Sequence, residues 1–465
     1  MVVLVLTIGF SSCYSPSDSH YTNSNVPIVH QPRLLQKDSL DVKIGQMLIV
    51  GFRGTSARSQ GVTNIIRDIK RFHLGGVILF DYDVALKSPR RNIESRHQLK
   101  RLIKALQSAN SISTTAPLFI AIDQEGGKIR RLKKKFGFSS TGRFSAQYLG
   151  TQGPGQTKKQ ARKIANTLAE VGINLNFAPV VDLNTNPDNP VIGKLGRSFS
   201  DDPELVTKHA LAFISEHEKK KIICVFKHFP GHGSSHHDSH LGWVDVSDSW
   251  DESELKPYRN LINAGFGTQN AIMLGHIFNE FLDPVYPATL SKEIITGELR
   301  TELKYNGVVI SDDMQMKAIS NKYSWYETIY RTIEAGVDII VIGNNLKYDR
   351  NVVKKTVDII KQLIDEGQIS ENRIEESYQR IKKLKSQLPR ITNNVSQVKY
   401  KLTVEVTPPG SRIRIMNIGP KYFHGIELSP GAYRIKVDKD GYITDDNWIT
   451  IQNKDITIPV ELRKK

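Results

Sequence analysis

The chain has 465 residues, of which 39% are hydrophobic, so it is long enough for one large domain with its own core and a smaller second domain. It contains two cysteines, Cys13 and Cys224, which excludes a fold held together by a disulfide framework. The formal net charge is +16, but the lysines and arginines are spread along the chain, which is typical of a solvated surface and excludes no class except a concentrated nucleic-acid interface. We therefore expect no nucleic-acid partner.

The N-terminus combines an apolar run, Val2–Phe10, with two serines directly before Cys13. The run is too short to cross a bilayer but has the length of the apolar region of a secretion signal. Residues 1–13 resemble a bacterial lipoprotein signal, which implies lipidation of Cys13 and a membrane tether. We expect export to the cell envelope, as a periplasmic or surface lipoprotein; the alternative is an uncleaved N-terminus on a cytoplasmic protein. Residues 14–37 are polar and aperiodic, which predicts a linker.

From Asp38 onward, short apolar runs alternate with amphipathic stretches. Eight runs have the length and composition of buried strands: Gln46–Phe52, Gly76–Phe80, Pro117–Asp123, Ile173–Pro179, Ile222–His228, Ala271–His276, Gly307–Asp312 and Val337–Gly343. Helices are predicted at Val62–Phe72, Ser95–Ser108, Lys158–Val171, Pro203–His217, Glu252–Gly265, Val352–Gly367 and Ser370–Gln387. This alternation predicts an α/β fold, a (β/α)₈ TIM-type barrel over residues 38–390; an open doubly wound sheet is the alternative.

Charged residues stand at or just beyond the ends of these predicted strands. They are Asp123, Asp182, the pair Lys227–His228, His276 and Asp312. A barrel gathers the C-terminal ends of its strands on one face, so we expect these side chains to form one site. Taken singly, each residue also has a structural explanation, such as a loop carboxylate or a hydrogen-bonded core histidine.

The loop after the fifth predicted strand, Lys227–His240, holds one lysine, five histidines and one aspartate among small residues. The histidines could bind a metal, but they lack a fixed ligand spacing such as His-Glu-x-x-His, so we expect neither a metal nor another cofactor. Alternatively, Asp238 and His240 form an acid–base pair, in which the carboxylate orients the imidazole and stabilises its protonated form. We assign no role to three other histidines of the loop, His232, His236 and His237.

A different pattern follows a short linker at residues 391–397. Four segments alternate apolar and polar residues, which predicts a small antiparallel β-sandwich over residues 398–465: Leu402–Gly410, Arg412–Met416, Ala432–Val437 and Ile449–Leu462. The stretches at Pro408–Ser411 and Leu428–Val437 resemble the PEGA domain, a surface-associated module named for such a Pro-x-Gly-Ala sequence. This resemblance implies a binding or spacer role in which the domain contacts envelope components.

Several motifs stand in a fixed order within the barrel region. They are Lys43-Ile-Gly-Gln-Met-Leu-Ile-Val-Gly-Phe-Arg-Gly, Gly75-Gly-Val-Ile-Leu-Phe, Asp123-Gln-Glu-Gly-Gly-Lys-Ile-Arg-Arg, Phe177-Ala-Pro-Val-Val-Asp, Gly196-Arg-Ser-Phe-Ser, Lys227-His-Phe-Pro-Gly-His-Gly with Asp238-Ser-His, and Val309-Ile-Ser-Asp-Asp-Met. In this order they resemble glycoside hydrolase family 3, specifically its single-barrel β-N-acetylglucosaminidase branch. The Asp-Ser-His tripeptide separates that branch from relatives that cleave glucosides. Lys128 stands where the family usually has arginine.

The resemblance implies a retaining enzyme that removes terminal β-linked N-acetylglucosamine (GlcNAc) through a covalent glycosyl-enzyme. It implies that Asp312 is the nucleophile, that His240 is the acid/base with Asp238 as its partner, and that Asp313 is structural. A carboxylate at the end of an apolar strand is held on rigid backbone, as a nucleophile requires. The residues implied for sugar binding are Asp123, Arg131, Arg197, Lys227, His228 and Met316.

The implied histidine acid bears on the substrate, because a glutamate in its place would repel an anionic leaving group. This agrees with peptidoglycan fragments, in which the sugar next to GlcNAc carries a lactyl carboxylate. It would suit phosphate as an acceptor equally well. The alternatives are therefore a β-glucosidase or a GlcNAc phosphorylase of the same family, and a non-catalytic glycan-binding protein of the envelope.

Overall fold

The computed structural model describes residues 38–110, 116–138, 141–389, 399–418, 421–429, 431–451 and 454–465. The predicted signal segment with Cys13, the linker at residues 14–37 and the linker at residues 391–397 lie outside these residues. Within the described ranges, no helix has the length and apolar character needed to cross a membrane.

Eight parallel strands form a closed barrel, in which each strand pairs with its neighbours in chain order and the first pairs with the eighth. They are β1 (Leu48–Gly51), β2 (Gly76–Ile78), β3 (Phe119–Ile122), β4 (Leu175–Asn176), β5 (Ile223–Phe229), β6 (Ala271–Leu274), β7 (Val308–Asp313) and β8 (Ile339–Ile342). Each overlaps a predicted strand, so the TIM-type barrel is confirmed and the open sheet is excluded. The strands are apolar runs because both faces of a parallel sheet are buried.

Helices connect and flank the strands. They are α1 (Leu40–Gln46), α2 (Gln60–Phe72), α3 (Arg96–Asn110), α4 (Ala146–Gly150), α5 (Pro154–Val171), α6 (Pro203–Glu218), α7 (Lys256–Asn263), α8 (Lys317–Ser320), α9 (Trp325–Ala335), α10 (Val352–Asp365) and α11 (Glu371–Lys385). Short 3₁₀ turns lie at Lys134–Phe136, Glu252–Leu255 and Ala288–Leu290, and Glu293–Glu302 is a π-helix.

Local sequence explains several of these boundaries. The predicted helix Glu252–Gly265 is instead a 3₁₀ turn followed by α7, and Pro257 lies in the first turn of α7, where its missing N–H costs nothing. Asp202 begins α6 by accepting a hydrogen bond from the N–H of Glu204, as N-cap residues do. β4 is shorter than the predicted Ile173–Pro179, and Pro179, which has no N–H to donate to a neighbouring strand, lies beyond its end.

The C-terminal domain has its own apolar core and two three-stranded sheets. Its strands are β9 (Tyr400–Thr407), β10 (Arg412–Ile415), β11 (Ile426–Leu428), β12 (Gly431–Asp438), β13 (Asp445–Ile451) and β14 (Ile456–Glu461). The order is β11-β9-β14 in one sheet and β10-β12-β13 in the other. All pairs are antiparallel except β9 with β14, which is parallel. The alternating pattern thus marks a real β domain, and its predicted last segment contains two strands.

A buried ion-pair cluster around Asp338 holds the barrel together at the N-terminal end of β8. One carboxylate oxygen of Asp338 accepts from Arg300 Nη2 at 2.8 Å and from the N–H of Val309 at 2.9 Å. The other accepts from Ser377 Oγ at 2.7 Å and from Arg380 Nη1 at 3.1 Å. This carboxylate therefore joins the π-helix, β7 and α11, and it is fully buried.

We expect Asp338→Ala to lower the free energy of unfolding by about 3–5 kcal/mol, because it leaves partly buried arginines without their counter-charge. Chemical denaturation followed by circular dichroism measures this change. The matched control is Asp358→Ala, which removes the exposed ion pair with Lys354 and should cost about 0.5 kcal/mol. Equal losses in the two variants would contradict the structural role of the cluster.

Candidate active site

A cavity of about 500 Å³ lies at the C-terminal ends of the barrel strands. The structure brings together on its wall every residue predicted for catalysis or sugar binding, apart from Cys13, which was predicted only for lipidation: Asp123, Arg131, Arg197, Lys227, His228, Asp238, His240, Asp312 and Met316. A volume of this size is ordinary for a small-molecule site. Residues that are far apart in the chain thus form one site, as the barrel predicts.

Two of the strand-end residues do not line this cavity but lie buried behind it. Asp182 accepts hydrogen bonds from His228 Nδ1 at 2.7 Å, from the N–H of His228 and from the N–H of His232. His276 contacts Thr289 Oγ1 at 2.7 Å and the carbonyl oxygen of Asp313 at 3.0 Å. Both residues support the side chains and backbone in front of them.

One wall of the cavity is a chain of alternating acids and bases. Asp123, directly after β3, accepts from Lys227 Nζ at 3.1 Å and from Arg131 Nη2 at 3.2 Å. Lys227 also lies 2.8 Å from Glu125, and Glu125 forms a two-point pair with Arg197 at 2.7 and 2.9 Å. Each cation is thus held by carboxylates, so the side chains present fixed donors and acceptors to a ligand with many hydroxyl groups.

Glu125 is a member of this wall that sequence reasoning missed. Burial alone would raise the pKa of Glu125, but the charges of Arg197 and Lys227 outweigh burial and lower it to about 2. The pKa of Asp123 is also lowered, since Lys227 and Arg131 outweigh its burial. The sequence does carry a signal for Glu125, because it stands two residues after Asp123. Residues two apart in an extended segment point the same way, and Gln124–Gly126 is an extended segment.

The same network orients the ring of His228. Arg197 Nη2 lies 3.3 Å from Nε2 of this histidine, and an arginine can only donate. Nε2 therefore accepts, and Nδ1 carries the proton that is donated to Asp182. Burial would raise the pKa of Asp182, but His228 lowers it to about 2, so the acceptor is ionised.

The two carboxylates at the end of β7 have different surroundings. Asp313 accepts from the N–H groups of Gly343, at 2.8 Å, and Gln315, at 3.1 Å, which ties it to the loop after β8. Burial raises the pKa of Asp313 to about 6. Asp312 accepts from the N–H of Asp313 at 2.7 Å, and the neighbouring histidines His276, His228 and His240 outweigh its burial, so its pKa is lowered. Of the two, Asp312 therefore stays ionised to lower pH.

The two residues predicted to form an acid–base pair, Asp238 and His240, lie on the loop after β5. His240 Nδ1 lies 2.8 Å from Asp238 Oδ1, which leaves Nε2 to exchange a proton with a ligand. Burial would lower the pKa of His240, but the hydrogen bond to Asp238 and the charge of Asp312 raise it. The imidazole is 52% exposed, which suits a group that meets both substrate and water.

Buried side chains hold the loop that carries this pair in place. His232 contacts Ser235 Oγ at 2.7 Å and Ser239 Oγ at 3.3 Å, so this histidine, which received no role from sequence, positions the loop. Glu254 accepts from the N–H of Gly233 at 2.9 Å. Gly231 has a φ of 126°, and a Cβ there would lie 2.5 Å from Glu254, so only glycine allows this approach.

The pair and the nucleophile candidate together predict a bell-shaped pH dependence of kcat/KM. Activity needs ionised Asp312 and protonated His240, so it falls below the lowered pKa of the first and above the raised pKa of the second. In Asp238→Asn the neutral amide no longer stabilises the imidazolium, so we expect the alkaline limb to move to lower pH. A profile measured on an aryl GlcNAc substrate tests this, and an unmoved alkaline limb would contradict the role of Asp238.

Metal binding by the histidines of this loop was the alternative that the sequence offered. Within the part of the chain that the structure describes, no three His, Cys, Asp or Glu side chains are placed to hold a metal ion. His236 and His237 are exposed and do not line the cavity, whose histidines are His228, His232 and His240.

Comparison with known proteins decides the family. Residues 39–384 match the glycosyl hydrolase family 3 N-terminal domain, which is most of the chain and the whole barrel region. The chain belongs to glycosyl hydrolase family 3. This confirms the resemblance seen in the sequence and the prediction of a glycoside hydrolase. The C-terminal β domain lies beyond the matched residues, so the PEGA resemblance stays a prediction.

Relatives within family 3 are hexosaminidases by name. Beta-hexosaminidase A of Pseudoalteromonas piscicida is 34% identical over 405 residues, which are 80% of this chain but only 64% of that protein. Beta-hexosaminidase LpqI of Mycobacterium tuberculosis is 31% identical over 355 residues, which are 75% of this chain and 83% of the relative. A solved family 3 β-N-acetylglucosaminidase from Paenibacillus sp. str. FPU-7 has a TM-score of 0.66 at 30% identity, covering 79% of this chain and 73% of that one.

Proposed function

We propose that this family 3 protein is a retaining exo-β-N-acetylglucosaminidase that removes terminal β-linked GlcNAc from peptidoglycan fragments. The observation that carries the proposal is the convergence of Asp312 and the Asp238–His240 pair on one cavity. Relatives that are named beta-hexosaminidase support the identity of the sugar. A histidine acid, which does not repel an anionic leaving group, supports the peptidoglycan source.

In the first step, the carboxylate of Asp312 attacks the anomeric carbon as the glycosidic C–O bond breaks. His240 Nε2 gives its proton to the leaving oxygen, so the leaving sugar departs neutral at that oxygen. Asp238 stabilises the imidazolium before this transfer and keeps the ring in the productive tautomer. The products are a glycosyl ester on Asp312, a neutral His240 and the free leaving sugar.

In the second step, water attacks the same carbon from the face that the leaving group vacated. Nε2 of His240 takes a proton from this water, and Asp312 leaves as a carboxylate. Two inversions at one carbon retain the β configuration. The mechanism requires no metal and no organic cofactor, because two side chains supply the nucleophile and the proton.

The cavity wall of alternating acids and bases, which includes Asp123 and Lys227, holds the terminal sugar during both steps. Asp123 accepts hydrogen bonds from sugar hydroxyls, while Arg131, Arg197 and Lys227 donate to hydroxyl or acetamido oxygens. Met316 is almost completely buried and offers an apolar surface to the ring. Ion pairs formed before binding keep these groups in place, so little ordering is required when the sugar enters.

The deciding experiment compares p-nitrophenyl β-GlcNAc with p-nitrophenyl β-glucoside, each with and without phosphate. We expect kcat/KM to favour GlcNAc by at least about 100-fold, because a site that hydrogen-bonds the acetamido group rejects a sugar without it. The rate should not depend on phosphate. A preference for glucoside indicates a β-glucosidase, a phosphate requirement indicates a phosphorylase, and no turnover indicates a glycan-binding protein.

We also propose that the protein is exported and tethered through a lipid on Cys13. The apolar segment before Cys13 supports this, as does the envelope location of peptidoglycan. Cells labelled with a fatty-acid analogue should yield labelled wild-type protein and unlabelled Cys13→Ser. Label retained in the variant would refute the tether.

A further inference from the structure

A separate cavity, of about 680 Å³, is lined by basic residues and shares no described lining residue with the active-site cavity. Its lining cations are Arg130, Lys134, Arg143, Lys159 and Lys163. Among the described residues, none that carries a carboxylate lines it. A concave surface with charges of one sign raises the local concentration of ligands of the opposite sign. This basic cavity is therefore a place to which an anion is attracted.

The sequence that forms the basic cavity is free of acidic residues. Residues 126–169 contain eleven lysines and arginines and neither aspartate nor glutamate. Although basic residues occur throughout the chain, this one stretch carries eleven charges, whereas the net charge of the whole chain is +16. The excess positive charge is therefore concentrated in the hairpin after β3, in the loop that follows it and in the first half of α5.

The cations of the basic cavity lack the acidic partners that other basic residues of the same stretch have. Outside the cavity, Arg131 pairs with Asp123 at 3.2 Å, and Arg162 pairs with Glu216 at 2.8 Å. Among the described residues, none of the five lining cations has a carboxylate within ion-pair distance. Their charges are therefore available to a ligand.

Two of these cations also repel each other. Lys159 and Lys163 lie four residues apart on α5, so they share one face of the helix. Like charges at this spacing destabilise a helix by a few tenths of a kcal/mol, whereas opposite charges stabilise it by about as much. A bound anion would remove this repulsion, so the arrangement favours a role in binding over a role in folding.

Hydrogen bonds hold the walls of the basic cavity together. The side chain of Gln160, in α5, accepts from the N–H of Phe144 at 2.8 Å and donates to its carbonyl oxygen at 2.9 Å. Arg130 Nη1 donates to the carbonyl oxygen of Gly142 at 3.2 Å, which joins the hairpin to the same loop. The cations therefore stand on a preformed frame, so a ligand has little ordering to impose.

The placement of the cations favours phosphate over carboxylate as the ligand group. They come from the hairpin, the loop and α5, so they approach the cavity from several directions. A phosphate group has three strong acceptor oxygens that point in different directions, whereas both oxygens of a carboxylate lie in one plane. The guanidinium groups of Arg130 and Arg143 can also bind a phosphate at two points. Five cations around one cavity suit a ligand with more than one phosphate.

The aromatic residues of the basic cavity do not suit a single-stranded nucleic acid. Such a strand is bound through exposed rings on which its bases stack. Phe138 is 2% exposed, and Phe144 already stacks on Tyr148, with 4.7 Å between the ring centroids. A compact phosphorylated ligand needs no stacking surface.

We propose that the basic cavity is a second binding site, which takes a compact ligand with two or more closely spaced phosphate groups. Arg130, Arg143, Lys159 and Lys163 pair with the phosphate oxygens. The site does not depend on the proposed function, because no residue of the active-site cavity takes part in it. Arg130 and Arg131 are adjacent in the hairpin but line different cavities, so the two sites lie on opposite sides of the same segment.

The test is calorimetry with tripolyphosphate as the probe and citrate as a compact ligand whose charges are carboxylates. We expect the wild type to bind tripolyphosphate more tightly than citrate. In Lys159→Gln/Lys163→Gln the affinity for tripolyphosphate should fall by about 10-fold, which is the order of two lost ion pairs at an exposed site. Binding should also weaken as ionic strength rises.

A matched control separates local pairing from the general positive field. Lys104 and Lys208 are exposed helical lysines that do not line the basic cavity, so Lys104→Gln/Lys208→Gln removes the same net charge elsewhere. The affinity for tripolyphosphate should be unchanged in this control. An unchanged affinity in Lys159→Gln/Lys163→Gln, an equal fall in both double variants, or citrate binding as tight as that of tripolyphosphate would overturn the proposal.

Two further probes identify the source of the phosphates. They are vesicles that contain phosphatidylglycerol and a single-stranded thymidine oligonucleotide. If tripolyphosphate binds and also displaces the protein from vesicles, lipid headgroups supply the phosphates; if tripolyphosphate binds and vesicles do not, the ligand is a free molecule. Vesicles or the oligonucleotide binding through Lys159 and Lys163 without any binding of tripolyphosphate would overturn the proposal.

The binding site and the proposed function fail separately. Lys159→Gln/Lys163→Gln should cleave aryl GlcNAc at the wild-type rate, because both residues lie outside the active-site cavity. Wild-type protein that binds tripolyphosphate through the two lysines but does not cleave aryl GlcNAc would refute the proposed function alone. Wild-type protein that cleaves aryl GlcNAc but does not bind tripolyphosphate would refute the second site alone.

Discussion

Asp312→Asn is expected to lower kcat/KM on an aryl GlcNAc by about 10⁴-fold or more, the range seen when an enzyme loses its nucleophile. An amide of the same size keeps the hydrogen bond from the N–H of Asp313 but cannot form the glycosyl ester. The fold should be kept, because asparagine has the same size and its oxygen can still accept this hydrogen bond. Steady-state kinetics on purified protein with an unchanged circular dichroism spectrum measures the loss.

The neighbouring carboxylate supplies the matched control. Asp313→Asn keeps an oxygen that can accept from Gly343 and Gln315, and its own carboxyl already has a pKa raised to about 6. We therefore expect kcat/KM of this variant to stay within about 10-fold of wild type. Added azide should restore bond cleavage in Asp312→Ala, since a small anion can occupy the space left by the carboxylate. If Asp313→Asn were the inactive variant, the assignment of the nucleophile would be reversed.

The barrel could be predicted because its strands carry a strong local signal. A run such as Gly307–Asp312 is apolar as far as Ile310 and ends in Ser311 and Asp312, which is typical of a buried parallel strand that ends in a site. Once eight such runs are ordered, barrel geometry brings Asp123, Lys227 and Asp312 together without further information. The candidate site residues were predicted from strand ends and motifs, and all of those predicted for catalysis or sugar binding line one cavity, whereas Asp182 and His276 lie behind it.

The remaining features depend on contacts between segments that are far apart in the chain, which the local sequence marks weakly or not at all. Glu125 belongs to the site only because Arg197, far along the chain, lies opposite it. His232 reads as a polar loop residue, yet folding buries it between Ser235 and Ser239. The parallel pairing of β9 with β14 also could not be predicted from the alternating pattern. Alternation fixes which face of a strand is buried but not the direction of the adjacent strand.

A cavity of about 890 Å³ beside the active site is the clearest case of this kind. Its wall comes from the loop after β2, the loop that carries His240, the segment after β7 with α8, the loop after β8, and the starts of α9 and α10. An exposed residue of this wall such as Lys317 is read from the sequence alone as a solvated charge. A cavity assembled from so many separate segments carries no local signal.

His240→Ala is expected to affect substrates according to their leaving groups. The leaving oxygen of a disaccharide is a poor leaving group and needs a proton, so loss of the acid should lower kcat/KM by about 10²–10⁴-fold. A dinitrophenolate leaves without protonation, so the first step on dinitrophenyl GlcNAc should be nearly as fast as in wild type. The second step still lacks its base, so the glycosyl ester on Asp312 should accumulate and appear as a burst of dinitrophenolate.

The control for this variant is His237→Ala, because His237 is an exposed histidine of the same loop that lines neither the active-site cavity nor the cavity beside it. It should keep wild-type rates on both substrates and show no burst. Stopped-flow measurements with the two substrates distinguish the outcomes, and mass spectrometry of the protein during the burst should find one added GlcNAc. An equal loss on both substrates in His240→Ala would mean that His240 binds the sugar or shapes the loop instead of moving the proton, and the proton donor would have to be sought elsewhere on the cavity wall.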